Sequence, residues 1–80
     1  MRIDKFLKNS RLIKRRTVAK DACANGRITL NGKIAKPGSE VNEGDEIVIT
    51  FGSSRMELVV KEIIESPRKE DAEKMYEITG

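Results

Sequence analysis

The sequence predicts an α+β domain, in which two short N-terminal helices pack on a small, mainly antiparallel sheet and a short helix lies near the C-terminus. The first observation is a change of period: apolar residues recur at helical spacing up to Cys23 and alternate with polar residues after Arg27. The second is Asn31-Gly32, since both central positions of a type I′ hairpin turn need positive φ. The third is the length of 80 residues, enough for one domain with a small core.

Both predicted helices are amphipathic. The first covers residues 2–10, and one of its faces carries three apolar side chains, Ile3, Phe6 and Leu7. The second runs from about residue 15 to residue 25, and four of its residues are expected to face inward: Val18, Ala19, Ala22 and Cys23. Gly26 then suits the helix C-cap, because glycine adopts the left-handed conformation without penalty.

The predicted sheet begins directly after the second helix. Ile28 and Leu30 alternate with polar residues, and residues 33–36 return the chain after the hairpin turn. Residues 46–51 and 55–64 are the next two predicted strands, because both are rich in β-branched and apolar residues.

A short C-terminal helix is expected to follow. Ser66 and Pro67 would be its N-cap and its first residue. Its end, or alternatively a short last strand, is expected to pack onto the sheet through three residues, Met75, Tyr76 and Ile78.

Positive charge is concentrated in the N-terminal half. Residues 1–36 carry eleven Lys and Arg against two Asp, a net +9, whereas residues 37–80 carry five Lys and Arg against eleven acids, a net −6. Such asymmetry indicates a polyanionic partner on the basic side. The alternative is two solvated faces of opposite sign.

Three consecutive cations, Lys14, Arg15 and Arg16, stand where the second helix is expected to begin. They oppose the helix dipole there, which favours a role in binding a partner over a role in stabilising the helix. A helix N-terminus offers free N–H groups to an anion, and arginine contacts phosphate with two parallel hydrogen bonds. We therefore predict a phosphate-binding site with eight candidate residues: Arg2, Lys5, Lys14, Arg15, Arg16, Thr17, Lys20 and Lys33. The alternative is that the run only keeps a loop soluble.

Structured RNA is the favoured polyanion. Binders of single strands supply aromatic stacking platforms, but Phe6 lies on a core face while Phe51 and Tyr76 belong to the acidic half. RNA read by its shape, through phosphates and 2′-hydroxyls, fits better. Duplex DNA read by a recognition helix is the rival, and the scarcity of exposed Asn and Gln in the second helix counts against it.

Catalysis is not expected, and neither is a cofactor or a metal. The chain has no histidine, which removes His-based acid–base chemistry and His metal ligands. Its one cysteine, Cys23, is expected to be a buried apolar residue and leaves no internal disulfide. The carboxylates of Glu43, Asp45 and Glu46 share a turn, but their spacing matches no calcium loop. Without an apolar run that resembles a signal peptide or a membrane span, the chain is expected to be cytoplasmic.

Several motifs together resemble the RNA-binding domain first described in small-subunit ribosomal protein four, also called the α-L motif. They are RIDKFL at residues 2–7, KRRT at 14–17, GRI at 26–28, NG at 31–32 and GDEI at 44–47. The resemblance implies that residues 1–51 form the α-L RNA-binding domain. Residues 52–80, a strand and an acidic helix, are expected to complete the same single domain.

Among stand-alone members, the chain is most similar to the RqcP family of bacterial ribosome-associated quality-control factors, and less so to heat shock protein fifteen. The segments RLIKRRT and KEDAEKMYEI carry this distinction. The resemblance implies binding to the large ribosomal subunit of stalled, split ribosomes, through 23S rRNA and peptidyl-tRNA. There the protein would support C-terminal alanine tailing by the partner RqcH, and off the ribosome a monomer is expected. By motif match Arg2 and Arg16 would contact the RNA, with four residues behind them: Lys5, Arg15, Thr17 and Lys20.

Three other functions stay open at this point. One is a general chaperone of stalled large subunits, as in heat shock protein fifteen. Another is the detached RNA-binding domain of an RNA-modifying enzyme. The last is a DNA-binding regulator.

Overall fold

A five-stranded antiparallel sheet with two helices on its inner face forms the architecture in the computed structural model, which describes all 80 residues. The α-helices are α1 (Ile3–Asn9) and α2 (Arg16–Ala24). The strands are β1 (Ile28–Leu30), β2 (Lys33–Ile34), β3 (Glu46–Phe51), β4 (Ser54–Val60) and β5 (Tyr76–Ile78), and a 3₁₀ helix spans Lys69–Met75. The spatial order is β2-β1-β3-β4-β5, with every neighbouring pair antiparallel. The α+β fold predicted from the sequence is confirmed.

The core lies between the helices and the sheet. Alternate residues of the central strands point inward, and the register places Ile47 opposite Leu58 and Ile28 opposite Ile49. Each of these four side chains is at most 1% exposed. Five helix residues complete this layer, namely Ile3, Phe6, Leu7, Ala19 and Cys23. Because α1 and α2 are short, this shared layer is what holds their N-terminal ends in place.

Turn chemistry behaves as the sequence predicts. Asn31 and Gly32 have φ values of 52° and 83°, so the β1–β2 hairpin has positive φ at both central residues. The C-cap of α2 is Asn25 instead of Gly26, and Gly26 follows it with the predicted left-handed conformation, at a φ of 72°. The Asn31 side chain also binds β3, since its Oδ1 accepts the N–H of Glu46 at 2.9 Å.

The C-terminal segment corrects two predictions. Strand β4 ends at Val60, four residues earlier than predicted, because β5 pairs with it only as far as Val60. The helix begins at Lys69 instead of Pro67 and is a 3₁₀ helix. Asp71 takes the place of Ser66 as the capping side chain, since its Oδ2 accepts the Arg68 N–H at 3.1 Å. A short last strand, β5, then completes the sheet.

Val18 was expected to face inward, and this is wrong. Its side chain is 51% exposed, whereas Ala19 and Cys23 are buried. These two residues are one turn apart and form a narrow inward stripe, so Val18 falls on the flank of α2. There it lines a groove with Phe51 of β3.

No helix of the protein has the length and apolar character needed to cross a membrane.

Candidate nucleic-acid interface

A buried carboxylate connects the starts of the two helices. Asp4 lies in the first turn of α1 and is 2% exposed. Its Oδ2 accepts a hydrogen bond from Nη2 of Arg2 at 3.1 Å, and its Oδ1 lies 3.5 Å from Nη2 of Arg16, the first residue of α2. Oδ1 also accepts the N–H of Lys5 at 2.7 Å. Asp4 thus holds two arginines that are far apart in sequence.

The backbone around Asp4 is fixed by the segment that precedes Val41. The N–H of Ile3 donates to the carbonyl of Ser39 at 2.8 Å, and that of Asp4 donates to the carbonyl of Pro37 at 3.3 Å. Arg2 forms an isolated antiparallel bridge with Glu40. The backbone at the start of α1 is therefore attached to residues 37–40, which fixes the point from which the Arg2 side chain extends.

Arg2, Asp4, Arg16, Thr17 and Lys20 line one open cavity of about 300 Å³, which we call the Asp4 cleft. No apolar side chain lines it. The side chains of Arg2 and Arg16 are 51% and 49% exposed, so each arginine binds Asp4 on one side and faces solvent on the other. The cleft brings together four of the eight residues predicted from the sequence.

The start of α2 adds the positive end of its helix dipole to the charge of the cleft. Its N-cap residue, Arg15, has extended φ and ψ and makes no capping hydrogen bond through its side chain. No acidic residue lies in the first turn of α2. The positive end of the helix dipole and the cations of the cleft therefore act in the same direction, toward an anion in solvent.

The other four predicted residues lie outside the cleft. Lys5 donates to Oε2 of Glu65 at 2.8 Å, on another side of α1. Lys14 lines a separate cavity beyond the end of α1. Arg15 is exposed and forms no ion pair, and Lys33 lies on β2 at the edge of the sheet. Their roles stay predictions.

Cys23 is the buried thiol that the sequence predicts. It is 2% exposed, and burial, followed by the negative charge of Asp4, raises the pKa of this thiol above its usual value. A protonated thiol is a poor nucleophile. Cys23 is therefore a packing residue of the core and not a candidate nucleophile.

Sequence reasoning missed the part that Asp4 plays. In the sequence, Asp4 is one of two acids in a basic segment and belongs to the RIDKFL motif, and neither fact assigns it a role. The sequence does hold one indication of this role. Asp4 lies in the first turn of a predicted helix and two residues after Arg2, where the helix dipole and the guanidinium both stabilise a carboxylate. Its contact with Arg16 depends on how α1 packs against α2.

Comparisons with known proteins identify the domain that carries this site. The model of the S4 domain matches residues 1–47. An RQC P-site tRNA stabilizing factor of Halalkalibacterium halodurans is 55% identical over 78 residues, covering 98% of this chain and 89% of that protein. The protein of the same name from Bacillus subtilis is 50% identical over 78 residues, covering 98% and 91%.

A solved structure adds a match in three dimensions. Heat shock protein 15 of Vibrio cholerae superposes with a TM-score of 0.90 at 29% identity, covering 99% of this chain and 81% of that one. The lower identity confirms that the chain is less similar to heat shock protein fifteen than to the RQC factors. The chain belongs to the S4-domain family and, within it, to the RQC P-site tRNA stabilizing factors.

Proposed function

We propose that the protein is a non-catalytic RNA-binding factor of ribosome-associated quality control, which binds the large subunit of stalled, split ribosomes and stabilises a tRNA in the P site. The observation that carries this proposal is the Asp4 cleft, where two half-exposed arginines share one buried carboxylate. The names of the relatives that are 50% and 55% identical support the tRNA and the pathway.

The cleft is chemically suited to a phosphodiester backbone. Arg2 and Arg16 each present N–H groups that Asp4 does not use, and a guanidinium contacts phosphate oxygens in a bidentate manner. Lys20 adds a third cation, and the Thr17 hydroxyl adds a donor. Because Asp4 already fixes the arginines, less side-chain entropy is lost when they bind.

The side chains that α2 exposes favour RNA over duplex DNA as the partner. The inward stripe of α2 is apolar, and its cleft side presents Arg16, Thr17 and Lys20, which suit phosphates better than base edges. The mechanism would be stabilisation of one tRNA position, with no bond made or broken. In line with the family resemblance, the RNA partners would be 23S rRNA and peptidyl-tRNA, and bound protein would support C-terminal alanine tailing by RqcH.

A second candidate is a general chaperone of stalled large subunits. The TM-score of 0.90 with heat shock protein 15 favours it. The two candidates differ in their dependence on tRNA: a P-site factor binds better when the tRNA is present, whereas a general chaperone binds the subunit in either state.

The test is binding of the protein to purified large subunits with and without P-site tRNA, measured by sedimentation. We expect tighter binding with tRNA, and a loss of about tenfold in affinity for Arg16→Ala, since a charge-assisted contact is removed. Arg55→Ala is the matched control, because it removes an exposed arginine from β4, outside the cleft.

Two results would count against the proposal. Equal binding with and without tRNA would favour the general chaperone. Equal loss in Arg16→Ala and Arg55→Ala would show that only net charge matters. Alanine tailing by RqcH, measured with the same variants, should fall with Arg16→Ala and stay unchanged with Arg55→Ala.

A further inference from the structure

A second basic cavity lies beyond the C-terminal end of α1. Lys8, Arg11 and Lys14 line it, and its volume of about 670 Å³ makes it the largest cavity of the protein. We call it the turn cavity. The lining is completed by Asn9, Glu65, Ser66 and Pro67. It contains no large apolar side chain that would suit an apolar ligand. The cavity is therefore suited to a polar, anionic ligand.

The turn after α1, which carries Arg11, is held by hydrogen bonds within the protein. The N–H of Arg11 donates to the Lys8 carbonyl at 3.0 Å, and the N–H of Ile13 donates to the Leu7 carbonyl at 3.1 Å. Ser10, only 1% exposed, donates from its hydroxyl to the same Leu7 carbonyl at 3.2 Å. Two buried residues, Ser10 and Ile13, therefore anchor the turn on either side of Arg11 and Leu12.

Arg11 itself occupies an unfavourable conformation. Its φ is 63°, in the left-handed region that glycine adopts freely and that costs other residues backbone energy. An arginine at such a position therefore makes the folded protein less stable than a glycine would. Strained residues are concentrated at binding sites, which makes the side chain of Arg11 a candidate for a function that offsets this loss.

The three cations have no partner within the protein. None of the seven ion pairs involves Lys8, Arg11 or Lys14. The one acid of the cavity, Glu65, is already bound by Lys5 at 2.8 Å. The positive charge of the turn cavity is therefore available to an external anion.

The opposite wall of the cavity is also held in place. Nδ2 of Asn9 donates to the carbonyls of Ile64 and Glu65, at 3.3 and 3.1 Å. The segment after β4 is thereby attached to α1, and it faces the turn that carries Arg11. The cavity has two fixed walls before any ligand binds.

We propose that the turn cavity is a second phosphate-binding subsite, in which Lys8, Arg11 and Lys14 hold a phosphodiester of the bound RNA. This inference rests on the proposed function for the identity of the polyanion. It adds Lys8 and Arg11 to the RNA-binding residues and separates Lys14 from the Asp4 cleft.

Arg11 allows a test in which stability and binding change in opposite directions. Arg11→Gly removes the strain and the charge together, so Tm should stay the same or rise by a few degrees. Affinity for large subunits carrying P-site tRNA should fall about three- to tenfold, and the slope of log K against log salt should decrease by about one. Arg11→Lys keeps the charge and should keep most of the affinity.

The controls separate this proposal from the proposed function. If Arg11→Gly binds like the wild type while Arg16→Ala loses affinity, the turn cavity is not a subsite and the Asp4 cleft stands. If neither loses affinity, the proposed function fails as well. An Arg11→Lys variant as weak as Arg11→Gly would also overturn the subsite. Repeating the comparison with empty subunits and with free tRNA shows which RNA supplies the phosphate.

Discussion

The carboxylate of Asp4 lies 3.5 Å from the guanidinium of Arg16, although the first is almost fully buried and the second is half exposed. This ion pair connects the first turn of α1 to the first turn of α2. A buried acid below exposed cations lowers the net positive charge of the surface, but it also fixes the geometry of those cations. The two effects act on RNA affinity in opposite directions.

We expect geometry to outweigh charge at Asp4. Asp4→Asn should lower the free energy of unfolding by about 1–3 kcal/mol, because charge-assisted hydrogen bonds in a buried site are lost. It should also weaken RNA binding, although the net charge rises by one. Denaturant unfolding and sedimentation with large subunits measure the two effects. Asp21→Asn is the matched control, since Asp21 is exposed and lies in the groove beside Val18. Tighter binding by Asp4→Asn would contradict this expectation.

Salt should weaken binding steeply. If the Asp4 cleft and the surrounding cations neutralise about six phosphates, affinity should fall roughly a thousandfold between about 50 and 200 mM salt. The measurement is the affinity for large subunits at a series of salt concentrations, with the magnesium concentration held fixed. An affinity that does not change with salt would show that phosphate contacts contribute little.

Stability should fall at acidic pH through Glu65. The hydrogen bond from Lys5, and then its charge, holds the pKa of this carboxyl below its usual value of 4.5. A carboxyl with a lowered folded-state pKa contributes stability above its unfolded pKa and loses it as pH falls through the folded value. The loss should therefore occur below about pH 4.5 and be smaller in Glu65→Gln. Glu43→Gln, an exposed acid without an ion pair, should behave like the wild type.

Cys23 should react slowly in the native protein. Burial and the neighbouring Asp4 charge raise the pKa of this thiol, so little thiolate is present at neutral pH. A thiol-specific disulfide reagent should modify Cys23 readily in denaturant. In native buffer it should react only as fast as the folded structure opens to expose the thiol. Immediate modification of native protein would show that the thiol is accessible.

Local patterns predict much of this fold. The apolar stripe of α1, the Asn31-Gly32 turn and the bounds of β3 at residues 46–51 all agree with the structure. Each depends on interactions within a few residues: side-chain periodicity, positive φ at a turn, or β-branched side chains in a run. Such features are visible in sequence because the competing conformations differ in local energy.

Features that depend on tertiary packing were not predicted. The Asp4–Arg16 contact joins residues twelve positions apart and arises only when α1 packs on α2. The end of β4 is set by how far β5 extends along it, and the exposure of Val18 is set by the width of the α2 stripe. Sequence reasoning therefore identified the cations but not the carboxylate that arranges them.

The most direct test of the proposed function is to recover the RNA that the protein binds in bacterial lysate. Tagged wild-type protein and Arg16→Ala are cosedimented in parallel, and the bound RNA is sequenced. We predict that the wild type recovers 23S rRNA together with tRNA and that Arg16→Ala, compared at a temperature where both proteins are folded, recovers much less of both. Recovery of no ribosomal RNA by the wild type, or equal recovery by Arg16→Ala, would contradict the role assigned to the Asp4 cleft.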